Sequence, residues 1–152
     1  MHRDYNDLLR EFNEGRVEYL VVGAHALGYY LEPRYTKDLD VWIRCTRENA
    51  ERSHRALARF GAPLHGVSPA DLERPGFVYQ IGVEPVRVDV LTSISGVEFD
   101  AAHERRVTAK VGALEIPLLG LEDLLANKLA AGRPQDLVDA AAIREEIRRR
   151  RG

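Results

Sequence analysis

Cysteine is almost missing from this chain: Cys45 is the only one in 152 residues. A single thiol excludes an internal disulfide and a cysteine-based zinc site, and it suits a reducing cytosol. Neither sign of charge dominates. Twenty-two Lys and Arg stand against 24 Asp and Glu, a formal net charge of −2, so no global field draws the chain to nucleic acid or to a membrane surface. An anionic ligand must be caught by local groups. Long apolar runs are missing too. The most apolar stretch, Tyr19 to Leu31, has 13 residues and carries His25 and two glycines, which is too short to cross a bilayer. Met1-His2-Arg3-Asp4 leads into an amphipathic segment without the apolar centre of a secretory signal. These absences predict a cytoplasmic protein with no membrane attachment. No repeat or low-complexity linker divides the chain, so one domain over residues 1–152 is expected, burying roughly 70% of its unfolded surface.

What is present is a mixture of helical and strand periods. Tyr5, Leu8, Leu9 and Phe12 recur at helical spacing and predict a helix over 3–14, stopped by Gly15. Residues 18–22 read as a strand, broken at Gly23 by a helix over 24–31 that Pro33 ends. Residues 36–43 alternate: Leu39, Val41 and Ile43 point one way, Asp38, Asp40 and Trp42 the other. Thr46 caps a helix over 47–60 closed by Gly61, and Ser68-Pro69 resembles the start of a short helix. Strands are expected over 77–81 and 86–91, a hairpin over 107–117, and helices over 121–131 and 135–149. The fold class is therefore α+β, a mixed sheet covered by helices.

Asp38 and Asp40 lie two residues apart on one strand, so their side chains share a face with Cα atoms roughly 6–7 Å apart. Two carboxylates so close resist joint ionisation. A hard divalent cation reverses that cost, and oxygen ligands suit Mg²⁺. Asp89 alternates in the same way on a second strand and adds a third oxygen ligand if the strands are neighbours. Three acids can hold one or two Mg²⁺ ions and clamp an NTP. An Asp-x-Asp pair is common on solvated strands, but here the strand's other face is fully aliphatic and a strand–Gly–helix unit precedes it. Gly23-Ala24 stands where free backbone N–H groups and the helix dipole can hold phosphate.

Gly23-Ala24, thirteen intervening residues and Asp38-Leu39-Asp40 resemble the Gly-[Gly/Ser]…Asp-x-[Asp/Glu] signature of the DNA polymerase β-like nucleotidyltransferase superfamily. Asp89, in Arg-Val-Asp-Val-Leu-Thr, falls at that family's third carboxylate. Stretches over 21–26, 33–40, 89–96 and 127–136 are similar to compact bacterial nucleotidyltransferase-like proteins related to abortive-infection (AbiEii-type) toxins. The resemblance implies a nucleotidyltransferase fold and NMP transfer from an NTP such as ATP, with two Mg²⁺ ions on Asp38, Asp40 and Asp89. It also implies a place in a toxin–antitoxin pair, with tRNA or protein as acceptor and an antitoxin-like partner protein. Ala24 departs from the family's Gly or Ser and removes one hydroxyl contact to phosphate.

Gly23, Ala24, His25, Arg34, Thr36 and Lys128 are the candidate nucleotide-binding residues. Arg34 offers a planar fork to phosphate, with Thr36 and Lys37 beside it; the alternative for Arg34 and Lys37 is a solvated loop charge, and for Thr36 a bond to backbone near the acids. His25 is a ligand contact or a structural histidine. Lys128 sits on a helix whose Leu121, Leu124, Leu125 and Leu129 should form the buried stripe, and a similar lysine neutralises NTP phosphates in the related toxins. Arg133, Asp136 and Asp139 follow it, as a charge pair at a helix start or as site residues. Arg144 and Arg148 to Arg151 make a basic end. Tyr29, Tyr30, Tyr35 and Trp42 are either a dimer contact or a base pocket, which leaves the oligomeric state open. The leading expectation is a Mg²⁺-dependent transferase acting on an acceptor hydroxyl of tRNA, protein or a small molecule. The alternative is a catalytically degenerate module that binds nucleotide or a partner on the same fold.

Overall fold

Alternation in the strands and a 3.6-residue period in the helices sort the chain into layers. The computed structural model describes residues 3–32, 38–83 and 86–152. Its elements run α1 (Arg3–Glu14), β1 (Tyr19–Val22), α2 (Gly23–Tyr30), β2 (Asp38–Ile43), α3 (Arg47–Phe60), β3 (Val78–Val83), β4 (Val86–Leu91), α4 (Phe99–Glu104), β5 (Val107–Val111), β6 (Leu114–Leu118), α5 (Leu121–Ala131) and α6 (Pro134–Arg151). The strands form one mixed sheet in the order β3-β4-β2-β1-β6-β5. β2 pairs parallel with β4 and antiparallel with β1, and β1 pairs parallel with β6.

The aliphatic face of β2 does what its alternation requires. Leu39, Val41 and Ile43 are fully buried, with Tyr5, Leu8, Leu9 and Phe12 of α1 in the same core. α1 packs on α3 and reaches β6, while α3 lies against β2. Thr46 caps α3 by accepting from the Asn49 amide at 3.3 Å, and Gly61 closes the helix in the left-handed region.

Several expectations need correction. The opposite face of β2 is polar only at its start: Trp42 is buried against the Phe99 ring of α4, centroids 5.0 Å apart. Tyr30 is buried as well, donating through its hydroxyl to the Leu119 carbonyl at 2.9 Å. Neither residue is available for a dimer contact, whereas Tyr29 is exposed. The Ser68-Pro69 segment forms only a 3-10 turn over Asp71–Glu73, because Asp71 Oδ2 accepts from the Ser68 amide and ties the turn to itself. On α5 Leu124 is buried, but Leu129 is 40% exposed and falls out of the expected stripe. Among the described residues no helix is long and apolar enough to cross a membrane.

Candidate active site

Register sets the geometry of the acids. β2 and β4 place Asp38 opposite Arg87 and Asp40 opposite Asp89. Strand alternation puts all four side chains on one face, a patch of three carboxylates and one guanidinium. Arg87 Nη2 donates to Asp38 Oδ2 at 2.7 Å, and Arg87 Nε stands 3.7 Å from Asp89 Oδ1. Burial, then Asp89, then Asp38 push the Asp40 carboxyl from 3.8 to about 7, against the opposing pull of Arg87 and Lys128. Asp89 is also raised, by burial first, while Arg87 acts the other way. Asp40 and Asp89 together thus hold one proton close to neutral pH.

Gly23 joins β1 to α2 with φ of +67°, and a Cβ there would collide with Asp40 Oδ2. Glycine is required twice over, by the backbone conformation and by the approach of the carboxylate. The same turn starts α2, whose first amides have no partner within the helix. His25, one residue beyond Ala24, turns away. Its ring meets Tyr5 edge-on, centroids 5.3 Å apart. Burial lowers its pKa, with Asp38 pulling upward, and Nε2 makes no hydrogen bond to a described residue.

A polar cleft of about 490 Å³ opens beside these residues, lined among others by Gly23, Ala24, Asp40, Ser93, Ser95, Asn127, Lys128 and Arg133. Its far wall is α5. Asn127 Nδ2 donates to the Ser95 carbonyl at 3.0 Å, and Gly96 lets the loop after β4 lie against Ala126 and Ala130. Lys128 Nζ stands 3.1 Å from Asp139 Oδ2 and 3.5 Å from Asp136 Oδ1. Asp136 also takes Arg133 Nε at 2.7 Å and the Arg133 amide at 3.1 Å, which caps α6. Those Arg133 hydrogen bonds lower the Asp136 pKa to about 2 despite its burial. Both aspartates are almost fully buried, so they fix the lysine and arginine at the rim of the cleft.

The structure therefore brings Gly23, Ala24, Asp40 and Lys128 to one cleft, with Asp89 paired to Asp40 behind it. Asp38 sits at the Arg87 end of the patch, and His25 is off the cleft lining. Arg34, Thr36 and Lys37 lie outside the described residues. Ser93, Ser95 and Asn127 were not singled out as site residues, although they lie in the stretches 89–96 and 127–136 that carry the resemblance. Arg87 was not singled out either, although it shares a strand face with Asp89 and opens the Arg-Val-Asp-Val-Leu-Thr run.

The donor set suits a hard divalent cation such as Mg²⁺: it consists of carboxylates, and the buried Asp89 Oδ1 accepts no hydrogen bond from a described residue. As placed, the acids do not close on one point. Among the described residues no three acid, imidazole or thiol groups form a metal cage, and Arg87 holds Asp38. The set fits the ion once Arg87 yields that carboxylate.

A family model described as nucleotidyl transferase of unknown function (DUF2204) matches residues 1–152. The chain belongs to this family. Its sheet and helices are those of the nucleotidyltransferase fold expected from the Gly23 to Asp40 motif. A candidate nucleotidyltransferase of Thermotoga maritima superposes with a TM-score of 0.60 at 14% identity, over 97% of this chain and 92% of its own. The antibiotic-resistance factor ANT(2'')-Ia superposes with a TM-score of 0.52 at 12% identity, over 97% and 90%. At such identities the likeness concerns the fold alone. No curated protein matches the chain in sequence.

Proposed function

We propose that the cleft binds a Mg²⁺-complexed NTP and that the protein transfers NMP to an acceptor hydroxyl. The observation carrying this reading is the pairing of Asp40 with Asp89 in register, with Gly23 packed against Asp40 on one wall of a cleft whose other wall presents Lys128. The amides at the start of α2 take phosphate oxygens, and Lys128 and Arg133 balance the remaining phosphate charge from the opposite wall. The acceptor oxygen attacks the α-phosphorus in line, the bond to the bridging oxygen breaks, and pyrophosphate leaves. Asp89, opposite Asp40 in the register, takes the hydroxyl proton. Asp38, Asp40 and Asp89 would hold Mg²⁺, which would supply charge neutralisation and a more acidic attacking hydroxyl. The acceptor is a hydroxyl of tRNA, a protein or a small molecule. A toxin–antitoxin role rests only on the motif resemblance.

A second reading, a binding module without turnover, is favoured by two observations. Ala24 lacks the hydroxyl of the motif, and Asp38 is engaged by Arg87. Calorimetric titration with each NTP, with and without Mg²⁺, separates these readings when paired with an acceptor screen. Mg²⁺-dependent binding lost in Asp38→Ala/Asp40→Ala, followed by NMP transfer, supports the enzyme. Binding without transfer to any acceptor class supports the module. Absence of binding to any NTP removes the enzyme and leaves a module that binds a partner protein.

A further inference from the structure

α5 has two working faces. Asn127, Lys128 and Ala131 look into the polar cleft, while Glu122, Leu125, Ala126 and Leu129 line a separate groove against α6. That groove encloses about 490 Å³. Its floor is Leu125, Ala126, Leu129 and Ile147, and its rim carries Arg144, Arg148 and Arg151 against the one acid Glu122. Leu137 and Ala141 continue the α6 wall at helical spacing towards the helix start. Large exposed apolar side chains are few among the described residues. Of the five among the described residues, Leu129, Leu137 and Val138 lie on this helical pair. The surface is thus apolar at the α5–α6 turn and basic towards the end of α6.

We propose that this groove docks an acidic amphipathic segment of a partner protein, with its apolar face on Leu129 and Leu137 and its carboxylates on the arginine rim. Helix-in-groove recognition uses such a pattern, apolar anchors along one face with charge fixing the register. The rim arginines are available for exchange. Arg144 pairs with no acid among the described residues. Among the described residues the side chains of Arg148 and Arg151 bond only to Glu145 and Glu122, both more than half exposed at the side chain, and exposed pairs of that kind hold weakly. RNA fits less well. The lining contains no aromatic ring on which a base stacks, and four apolar side chains would be desolvated against a sugar-phosphate backbone. This reading stands independently of the chemistry proposed for the cleft, although a docked partner rests on the helix that walls it.

The test is fluorescence anisotropy with a labelled synthetic peptide of ~15 residues, two leucines one turn apart followed by glutamates on the same face. A peptide with lysines for glutamates and a single-stranded RNA oligonucleotide serve as competing probes. The acidic peptide should bind the wild type, and Leu129→Glu should weaken it by about tenfold or more. Arg144→Glu/Arg148→Glu should lose the acidic peptide and gain the lysine one. That reversal keeps the test decisive even where Leu129→Glu fails to fold. Three outcomes overturn the proposal: no preference for the acidic peptide over the lysine one, RNA binding with the same dependence on Arg144 and Arg148, or self-association of the chain abolished by Leu129→Glu.

Discussion

Replacing Asp40 by Asn reads the cost of burying a carboxylate beside two others on one sheet face. An unfolded Asp40 gives up its proton near 3.8, whereas the folded protein keeps it until about pH 7. Between those values the native state binds one proton more than the unfolded state, so stability falls as pH rises. The contribution is fully present below pH 3.8 and gone once the pH passes about 7. At about 1.4 kcal/mol per pH unit the ceiling is about 4 kcal/mol. The carboxylates border an open cleft, and screening by water brings the expected loss to roughly 2 kcal/mol. Asn cannot ionise, and its amide can donate to Asp89. Asp40→Asn should therefore match the wild type near pH 4 and exceed it above pH 7 by roughly 4–8 °C in Tm for a chain of this length. Thermal melts in EDTA from pH 4 to 9, followed by circular dichroism, read the difference directly. A constant offset at all pH values, or a variant less stable at pH 8, would refute the reasoning. Mg²⁺ added at pH 8 should raise the Tm of the wild type and leave the variant unchanged.

Gly23→Ala should lower stability by about 1–2 kcal/mol, since it forces a side chain into a left-handed backbone. It should also abolish Mg²⁺-NTP binding, because the new Cβ displaces Asp40; calorimetry that finds wild-type affinity rejects this account of the turn. Arg87→Gln removes the resident cation, so the variant should melt lower than wild type in EDTA and show the larger rise on adding Mg²⁺. Equal responses to Mg²⁺ would mean that Arg87 does not compete for Asp38. Asp136→Asn leaves Arg133 and Lys128 without one of their buried partners and should cost roughly 3 kcal/mol in urea denaturation. A loss below ~1 kcal/mol would show that Asp139 alone holds the lysine.

The elements that the sequence disclosed are those whose signal is local. Leu39, Val41 and Ile43 alternate with Asp38 and Asp40, so the strand, its buried face and its acidic face all follow from six consecutive residues. α3 declares both ends through Thr46 and Gly61. α4 was invisible because it has six residues, one of them buried, and no side-chain cap. Trp42 was placed on the correct face but assigned to a surface, since nothing local says that Phe99 returns to cover it. Leu129 carries a helical period that matches the core stripe, yet α6 crosses α5 so as to leave it half open. Arg87 shows the same limit at the site itself. Its residue type and face are legible, but its bond to Asp38 depends on which residues of β2 and β4 stand opposite each other.

That register links the stability of the protein to its proposed chemistry. A slip of one residue between β2 and β4 would place Asp40 beside Val88 or Val90, bury the carboxylate among the aliphatic side chains, and dissolve the pair. The aliphatic residues 39, 41 and 43 forbid the slip because each would leave the core they now fill. The alternating hydrophobes therefore do more than hold the sheet: they force Asp40 and Asp89 together against their own repulsion. Arg87 offsets part of that repulsion from the Asp38 side, and burial, together with the repulsion that remains, keeps a proton on Asp40 to about pH 7. A divalent ion would relieve both at once, releasing the proton and freeing the arginine. Ligand-free stability and cation affinity should accordingly move in opposite directions across substitutions at positions 38, 40, 87 and 89 that preserve the carboxylates. Arg87→Gln is the variant in which the two can be measured together.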